Sequence, residues 1–312
     1  MTLPTAVLGR TGMQVTTLGY GAMELRGSPR GPEISDDRAR DVLNAVLDSG
    51  INYIDTSPDY GNSEELIGKF IADRRSEYFL ASKCGCLVGD AAAAPPPAGQ
   101  PNPHIFTAAN VRAGVDQSLR RMNTDYLDLV QFHASPSKAQ LEEEGGLEEL
   151  LTLQREGKVR FIGMSGTLPN LVEQIEMGVF DAFQIPYSAL QRDHSEAIAQ
   201  ASAAGAGIVI RGGVARGAPT DWEKRRNYMV PTERMRSLWD VAALDEILNG
   251  MTRMEFTLRF TLSDPNLDTT IVGTASADHL RDNVAAASKG ALPADVFAEA
   301  SRRLDAAEAS AN

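Results

Sequence analysis

The chain has 312 residues, 43% of them hydrophobic and 23% charged, with two cysteines and a formal net charge of −12. This composition excludes wholesale disorder and a collagen-like fibre, and the negative charge excludes a broadly basic nucleic-acid surface. Cys84-Gly85-Cys86 cannot frame a disulfide-built fold and fits a reducing, cytoplasmic setting.

The elements follow one another in a single rhythm. Residues 7–15 read as a small hairpin turning at Leu8-Gly9-Arg10-Thr11-Gly12. Short apolar runs that end in polar residues or glycine then recur at 16–19, 53–55, 79–83, 127–133, 161–165, 182–184, 207–211 and 270–273. Amphipathic stretches lie between them. Ser35 can cap the first, which carries Val42, Ala45 and Val46 on one face and ends near Ser49-Gly50. The second spans about 62–73, and the third shows a helical stripe of Val111, Val115, Leu119 and Met122. Further helices are predicted over 140–156, 168–177, 195–204, 252–263 and 276–288, with a last one over 293–309. Strands alternating with helices imply parallel strands joined by crossovers. Eight such units predict a (β/α)8 barrel, one domain over 1–312, with the hairpin plugging its bottom and the last helix packed outside. A doubly wound open sheet is the alternative, but no glycine-rich fingerprint follows the first strand.

Two segments stand apart. Residues 91–103, AAAAPPPAGQPNP, follow the third strand and are unsuited to regular structure. Residues 218–237 carry Lys224, Arg225, Arg226, Arg234 and Arg236, which read either as a solvated face or as a phosphate-holding flap. No apolar run approaches the roughly 18 residues of a membrane span. The opening Met1-Thr2-Leu3-Pro4 does not read as a signal peptide, so neither leader nor membrane partner is expected. The four histidines are scattered and the Cys-Gly-Cys lacks a partner pair, so the spacing predicts no metal site.

In such a barrel the chemistry gathers where strands end. Strand two ends in Asp55, with Tyr60 five residues on, strand three in Lys83 and strand four in His133. These types suit carbonyl reduction. The alkoxide formed needs a proton, which Tyr60 can supply. Lys83 can lower the phenol's pKa, Asp55 can hold Lys83 charged and aimed, and His133 can orient the substrate oxygen.

These residues carry a resemblance. Gly50-Ile51-Asn52-Tyr53-Ile54-Asp55-Thr56-Ser57-Pro58-Asp59-Tyr60-Gly61-Asn62-Ser63-Glu64 resembles the most diagnostic motif of the aldo-keto reductases. Ser82-Lys83, Asp125-Tyr126-Leu127-Asp128-Leu129 running into His133, and Gly157-Lys158-Val159-Arg160-Phe161-Ile162-Gly163-Met164-Ser165 are similar as well. The resemblance implies a catalytic tetrad of Asp55, Tyr60, Lys83 and His133, with Tyr60 the general acid. It also implies an extended NADP(H) on the barrel rim, with NAD the alternative, and a small carbonyl or sugar substrate.

Further cofactor contacts are implied position by position. Gly21, Ala22 and Met23 match the segment beneath the nicotinamide ribose, along with Asp55. Ser165 and Gln184 match the carboxamide ligands, and Gly166 stands where the family usually has asparagine. Arg211 replaces an aromatic residue that often stacks on the ring, and is expected to contact either that ring or a substrate oxygen. The turn Gly212, Gly213, Val214, Ala215 and Gly217 can offer backbone N–H groups to the pyrophosphate. Gly273, Thr274, Ala275, Ser276, His279, Asp282 and Asn283 match the adenosine 2′-phosphate site, at a helix N-terminus that favours anions. Many members have lysine at the position of Gly273; the run is closer to the potassium-channel β-subunit branch. That branch supplies the alternative function, a cofactor-binding module acting through a protein partner. Met23, Leu25, Tyr60, the loop after Cys86 and Tyr228 are candidate pocket residues, and Arg26 and Arg30 would suit an acidic substrate if they turn inward.

Overall fold

The computed structural model describes residues 2–28, 31–89, 103–217 and 232–311. The expected loop at 91–103, apart from Pro103, lies outside them, as do Arg30 and, in the basic segment, Lys224, Arg225, Arg226 and Tyr228. A two-stranded antiparallel hairpin, β1 (Thr5–Val7) and β2 (Gln14–Thr16), precedes the barrel strand β3 (Leu18–Gly21). The barrel continues through β4 (Tyr53–Asp55), β5 (Phe79–Cys84), β6 (Leu127–Phe132) and β7 (Val159–Ser165). It is completed by β8 (Ala182–Pro186), β9 (Gly207–Arg211) and β10 (Thr269–Val272). Each strand pairs in parallel with the next, and β10 pairs with β3 to close the ring.

The expected barrel, hairpin and outer helix are therefore present, with local corrections. The first barrel strand runs from Leu18 to Gly21, because Thr16 belongs to the hairpin and pairs with Thr5. The helix expected over 140–156 is two, α4 (Lys138–Glu143) and α5 (Gly146–Arg155), broken where Gly145 takes φ +72°. The other helices are α1 (Asp36–Asp48), α2 (Ser63–Phe70), α3 (Ala108–Arg121), α6 (Leu171–Glu176) and α7 (Ser195–Ala203). After them come α8 (Thr232–Val241), α9 (Arg253–Thr261), α10 (Ala277–Ala287) and α11 (Ala294–Ala311). Ser35, Thr107, Thr252 and Ser276 each cap a helix by accepting an N–H one turn on. Helix α8 lies in the basic segment for which a solvated face and a phosphate-holding flap are the two readings. Met235, Leu238 and Trp239 bury one face of it, and Arg234 and Arg236 lie on the exposed face near Asp193 and Asp240.

Two cores divide the strand residues by parity. One lies between barrel and helices and takes Ile54, Leu80, Val130 and Ile208. The other lies inside the barrel and takes Tyr53, Ala81, Leu129, Ala182, Val209 and Ile271. The hairpin closes this inner core from below with Leu8, Met13 and Val15. Arg10 fastens the plug by donating to the carbonyls of Gly178, Ala204 and Gly205. Side chains two residues apart on a strand share a face. Two residues above the inner apolar layer stand Asp55, Lys83, Gln131, Gln184, Arg211 and Gly273. The fold thus puts a polar layer on top of an apolar one at the C-terminal mouth.

Leu8 is fully buried in the plug. Leu8→Ala should cost about 3 kcal/mol in denaturant unfolding, in the range for a leucine truncated in a packed core. A cost near zero would show that the hairpin does not contribute to the barrel's stability.

Candidate active site

An ion pair sits at the centre of the polar layer. Lys83 Nζ donates to both carboxylate oxygens of Asp55 at 2.7 Å and to the carbonyl of Thr56 at 3.0 Å. Both side chains are almost fully buried, at 0% and 2% exposure. Asp55 Oδ2 also accepts from Gln131 Nε2 at 3.0 Å and from Gln184 Nε2 at 2.8 Å. Strands β4 and β8 are not neighbours in the ring, so the last bond crosses the lumen. A buried carboxylate needs its lone pairs filled, and three donors fill them here. Sequence reasoning passed over Gln131, whose signal is its place two residues before His133 on one strand face.

Behind the pair, Glu64 of α2 accepts from Ser82 Oγ at 2.9 Å and Ser118 Oγ at 2.6 Å, with Arg121 at 3.5 Å. It ties α2 to β5 and α3, and burial raises its carboxyl above the usual range.

Tyr60 reaches the pair from the loop after β4. Lys83 Nζ lies 5.7 Å from its ring centroid, and the His133 ring meets it edge-on at 6.0 Å. Gly61 holds this turn at φ +50°, and a Cβ there would stand 2.0 Å from the Arg26 carbonyl oxygen, so no larger residue fits. The four expected residues thus converge at one end of the barrel. Burial, then Asp55 and Asp59, push the Tyr60 phenol well above its ordinary value, and the Arg211 charge works against them.

His133 follows β6 rather than ending it, its N–H donating to the Cys84 carbonyl at 3.1 Å. Burial, with Lys83, His104 and Arg211 nearby, lowers its pKa to about 3 against the pull of Asp59, so the ring is neutral. Its Nδ1 lies 3.3 Å from Cys86 Sγ, 3.2 Å from His104 Nε2 and 3.8 Å from Asp59 Oδ2. The expectation of no metal-ligand cluster rested on spacing along the chain. The fold gathers these four side chains from three loops.

The proposed cofactor positions line the same mouth. Ser165 and Gln184 are register partners on β7 and β8, and Ser165 Oγ lies 3.4 Å from Gln184 Oε1. At Gly166 a Cβ would stand 2.7 Å from Gln174 Oε1 and 2.8 Å from Leu171 Cδ1, so a larger residue there requires the ends of those two side chains to shift. Gly273 has a steric reason, since its Cβ would meet the Gly21 carbonyl oxygen at 2.7 Å. Gly21 ends β3, and Ala22 and Met23 open a 3-10 turn, with Met23 exposed. Leu25, a candidate pocket residue, is instead fully buried in the outer core. Arg26 donates to the Met23 carbonyl at 3.3 Å and lies 3.8 Å from Glu24.

In the turn after β9, the N–H groups of Ala215 and Gly217 bond to the carbonyls of Gly212 and Val214. Those two donors are used within the turn, which leaves Gly212, Gly213 and Val214 as its better candidates. At β10, Tyr20 Oη donates to the Thr274 carbonyl at 2.8 Å and Arg38 Nε to that of Ala275 at 2.6 Å. Ser276 caps α10 through the His279 N–H. His279 and Asp282 are exposed and Asn283 half-buried on the first turns of that helix. A shallow cleft at the opposite end, lined by Thr11, Met13, Phe79 and Phe161 among others, contains none of these groups.

The comparisons agree with this geometry. The model of the aldo/keto reductase family matches residues 17–304. L-galactose dehydrogenase of Arabidopsis thaliana is 28% identical over 302 residues, spanning 90% of this chain and 87% of its own length. Pyridoxine 4-dehydrogenase of Escherichia coli is 29% identical over 284 residues, spanning 87% and 89%. The holo form of aldo-keto reductase AKR11C1 from Bacillus halodurans superposes with a TM-score of 0.78 at 26% identity, covering 96% of each chain. A closed eight-stranded barrel, a buried aspartate–lysine pair beneath a tyrosine, and a family match over nearly the whole chain lead to one conclusion: the chain belongs to the aldo/keto reductase family.

Proposed function

We propose that this oxidoreductase reduces aldehydes or ketones to alcohols, or runs the reverse reaction, with NADP(H), and that Tyr60 is its general acid. The observation that carries the proposal is the convergence of Tyr60, Lys83, Asp55 and His133 at one mouth of the barrel.

Bound nicotinamide supplies the hydride. The residues do the rest. A carbonyl oxygen becoming an alkoxide takes the proton of the Tyr60 hydroxyl. Burial and the carboxylates keep that phenol protonated until it is needed. Lys83, aimed by Asp55, faces the ring and opposes the negative charge left on it. His133 is neutral and can donate a hydrogen bond that orients the substrate oxygen.

The residues at the mouth fit the cofactor. Ser165 and Gln184 offer a side-by-side hydroxyl and amide for the carboxamide. A Cβ on Gly212 would meet nothing within 4 Å, so the backbone there is open to close approach by a pyrophosphate. The start of α10, with Thr274, Ser276, His279 and Asn283, offers a helix N-terminus to the 2′-phosphate. Arg211 exerts its charge on both Tyr60 and His133, which supports a contact with the nicotinamide ring or a substrate oxygen. The names of two relatives, an L-galactose dehydrogenase and a pyridoxine 4-dehydrogenase, support a small hydroxylated substrate.

Tyr60→Phe should lower kcat for a reactive aromatic aldehyde by about 10²–10⁴-fold, the usual weight of a positioned general acid. Cofactor affinity, read by quenching of protein fluorescence, should stay near wild type. A variant within a few-fold of wild-type kcat would remove Tyr60 from the mechanism. NADPH should be preferred over NADH in kcat/KM by about tenfold or more, the worth of one charge-assisted hydrogen bond. His279→Ala should erode that preference selectively. Equal use of both cofactors would mean that the α10 start does not read the 2′-phosphate.

A further inference from the structure

Beside the tetrad, and sharing His133 with it, lies a group in which three side chains, Asp59, Cys86 and His104, have no part in the proposed carbonyl reduction. Asp59, Cys86, His104 and His133 each offer one ligand atom, and all four atoms lie within 4.8 Å of one another. We propose that these four residues form a binding site for a divalent transition metal of the zinc type, sharing His133 with the tetrad.

The spacing supports this directly. A tetrahedral zinc ion with bonds of roughly 2.0 Å to nitrogen or oxygen and 2.3 Å to sulfur has ligand-to-ligand edges of about 3.3–3.6 Å. Here His133 Nδ1 stands 3.2 Å from His104 Nε2, 3.3 Å from Cys86 Sγ and 3.8 Å from Asp59 Oδ2. His104 Nε2 stands 3.9 Å from the same Asp59 oxygen. Four edges of the tetrahedron are therefore close to the required length before any ion draws them in.

The frame around the ligands is built. Cys86 and His104 face each other in an antiparallel bridge, and the Ile105 N–H donates to the Gly85 carbonyl at 2.7 Å. Asn110 Nδ2 donates to the carbonyls of Cys86 and Ile105, at 3.0 Å and 2.8 Å. Ser57 Oγ donates to Asp59 Oδ1 at 2.6 Å, which leaves Oδ2 turned to the centre and serves as an outer support of the usual kind. Cys86 is buried while the other three are half-buried, so an ion can enter from the rim.

The donor set selects the ion. Two imidazoles, a thiolate and a carboxylate suit zinc, or cobalt in its place, and do not suit calcium or magnesium, which take oxygen ligands. One thiolate and one carboxylate neutralise the two positive charges, which favours a half-buried centre. As the metal–sulfur bond forms, the Cys86 proton leaves to solvent. Four protein ligands close the coordination sphere, as in structural rather than catalytic zinc sites. Coordination through Nδ1 leaves the His133 ring proton on Nε2, so the ion would fix both tautomer and orientation of that ring. The binding claim needs only these four side chains and stands apart from the reductase reading.

The test uses the full chain freed of metal by a chelator and titrated with Co2+ alone. One equivalent should bind, with a thiolate-to-cobalt charge-transfer band and visible absorption of tetrahedral strength, and an equivalent of Zn2+ should bleach both. Cys86→Ser should lose the charge-transfer band, and Cys84→Ala should keep it. His104→Gln should weaken binding by more than about tenfold, since even outer supports of a metal site are worth that much. Circular dichroism of the metal-free variants should match wild type. Failure of wild type to bind stoichiometrically, a weak octahedral spectrum, or a charge-transfer band that survives in folded Cys86→Ser would each overturn the proposal. The wild-type spectrum decides even if a variant fails to fold.

Discussion

Everything at the mouth of this barrel depends on one buried ion pair. Lys83 and Asp55 lie in the lumen with almost no exposure, 2.7 Å apart through both carboxylate oxygens. Two charges withdrawn from water are costly, and removing one partner from such a pair typically costs about 3–5 kcal/mol. The arrangement holds because Gln131 and Gln184 fill the remaining acceptor sites of Asp55, and the Thr56 carbonyl accepts from the ammonium. Four strands are bound by this network. Gln184 also sits beside Ser165, so the groups that fix the pair and those suited to hold a nicotinamide amide belong to one connected set.

The barrel makes this network affordable by layering. The hairpin and the inner apolar residues fill the lower lumen, so water is excluded from beneath the pair. At the mouth itself, burial raises the pKa of the Tyr60 phenol and lowers that of His133. An acid that stays protonated and a ring that stays neutral follow from where the chain places them, not from the residue types alone. Arg211, on the same lumen-facing parity, is the positive charge that works against the burial of Tyr60.

Much of this was legible in the sequence because the strand period is strict. Asp55, Lys83 and His133 end or follow apolar runs, and a β-strand's alternation carries them to one side whatever the loops do. The eight-unit rhythm and the helix caps at Ser35 and Ser276 are local signals of the same kind. What could not be read depends on distance in space. Nothing along the chain ties His104 to His133, or Asp59 to Cys86, before β4, β5 and β6 lie side by side. The direction of the Tyr60 shift is likewise set by packing, since burial and the neighbouring carboxylates Asp55 and Asp59 raise it. Gly166 and Gly273 looked like departures from the family pattern. At Gly273 the structure shows the Gly21 backbone carbonyl in the space that a larger residue would need, and at Gly166 the ends of Gln174 and Leu171, which would have to shift. Helix α8 was obscured by charge, since its arginines hid the Met235, Leu238 and Trp239 face.

The most direct measurement follows the hydride and the pair together. NADPH carrying deuterium at the transferable C4 position is mixed with a reactive aromatic aldehyde, and the product is examined by mass spectrometry for wild type and for folded, cofactor-binding Lys83→Met. The expected result is an alcohol deuterated at the carbinol carbon from wild type and almost none from the variant. An unlabelled product, or deuterated alcohol formed by Lys83→Met at the wild-type rate, would contradict a reductase organised around the Asp55–Lys83 pair.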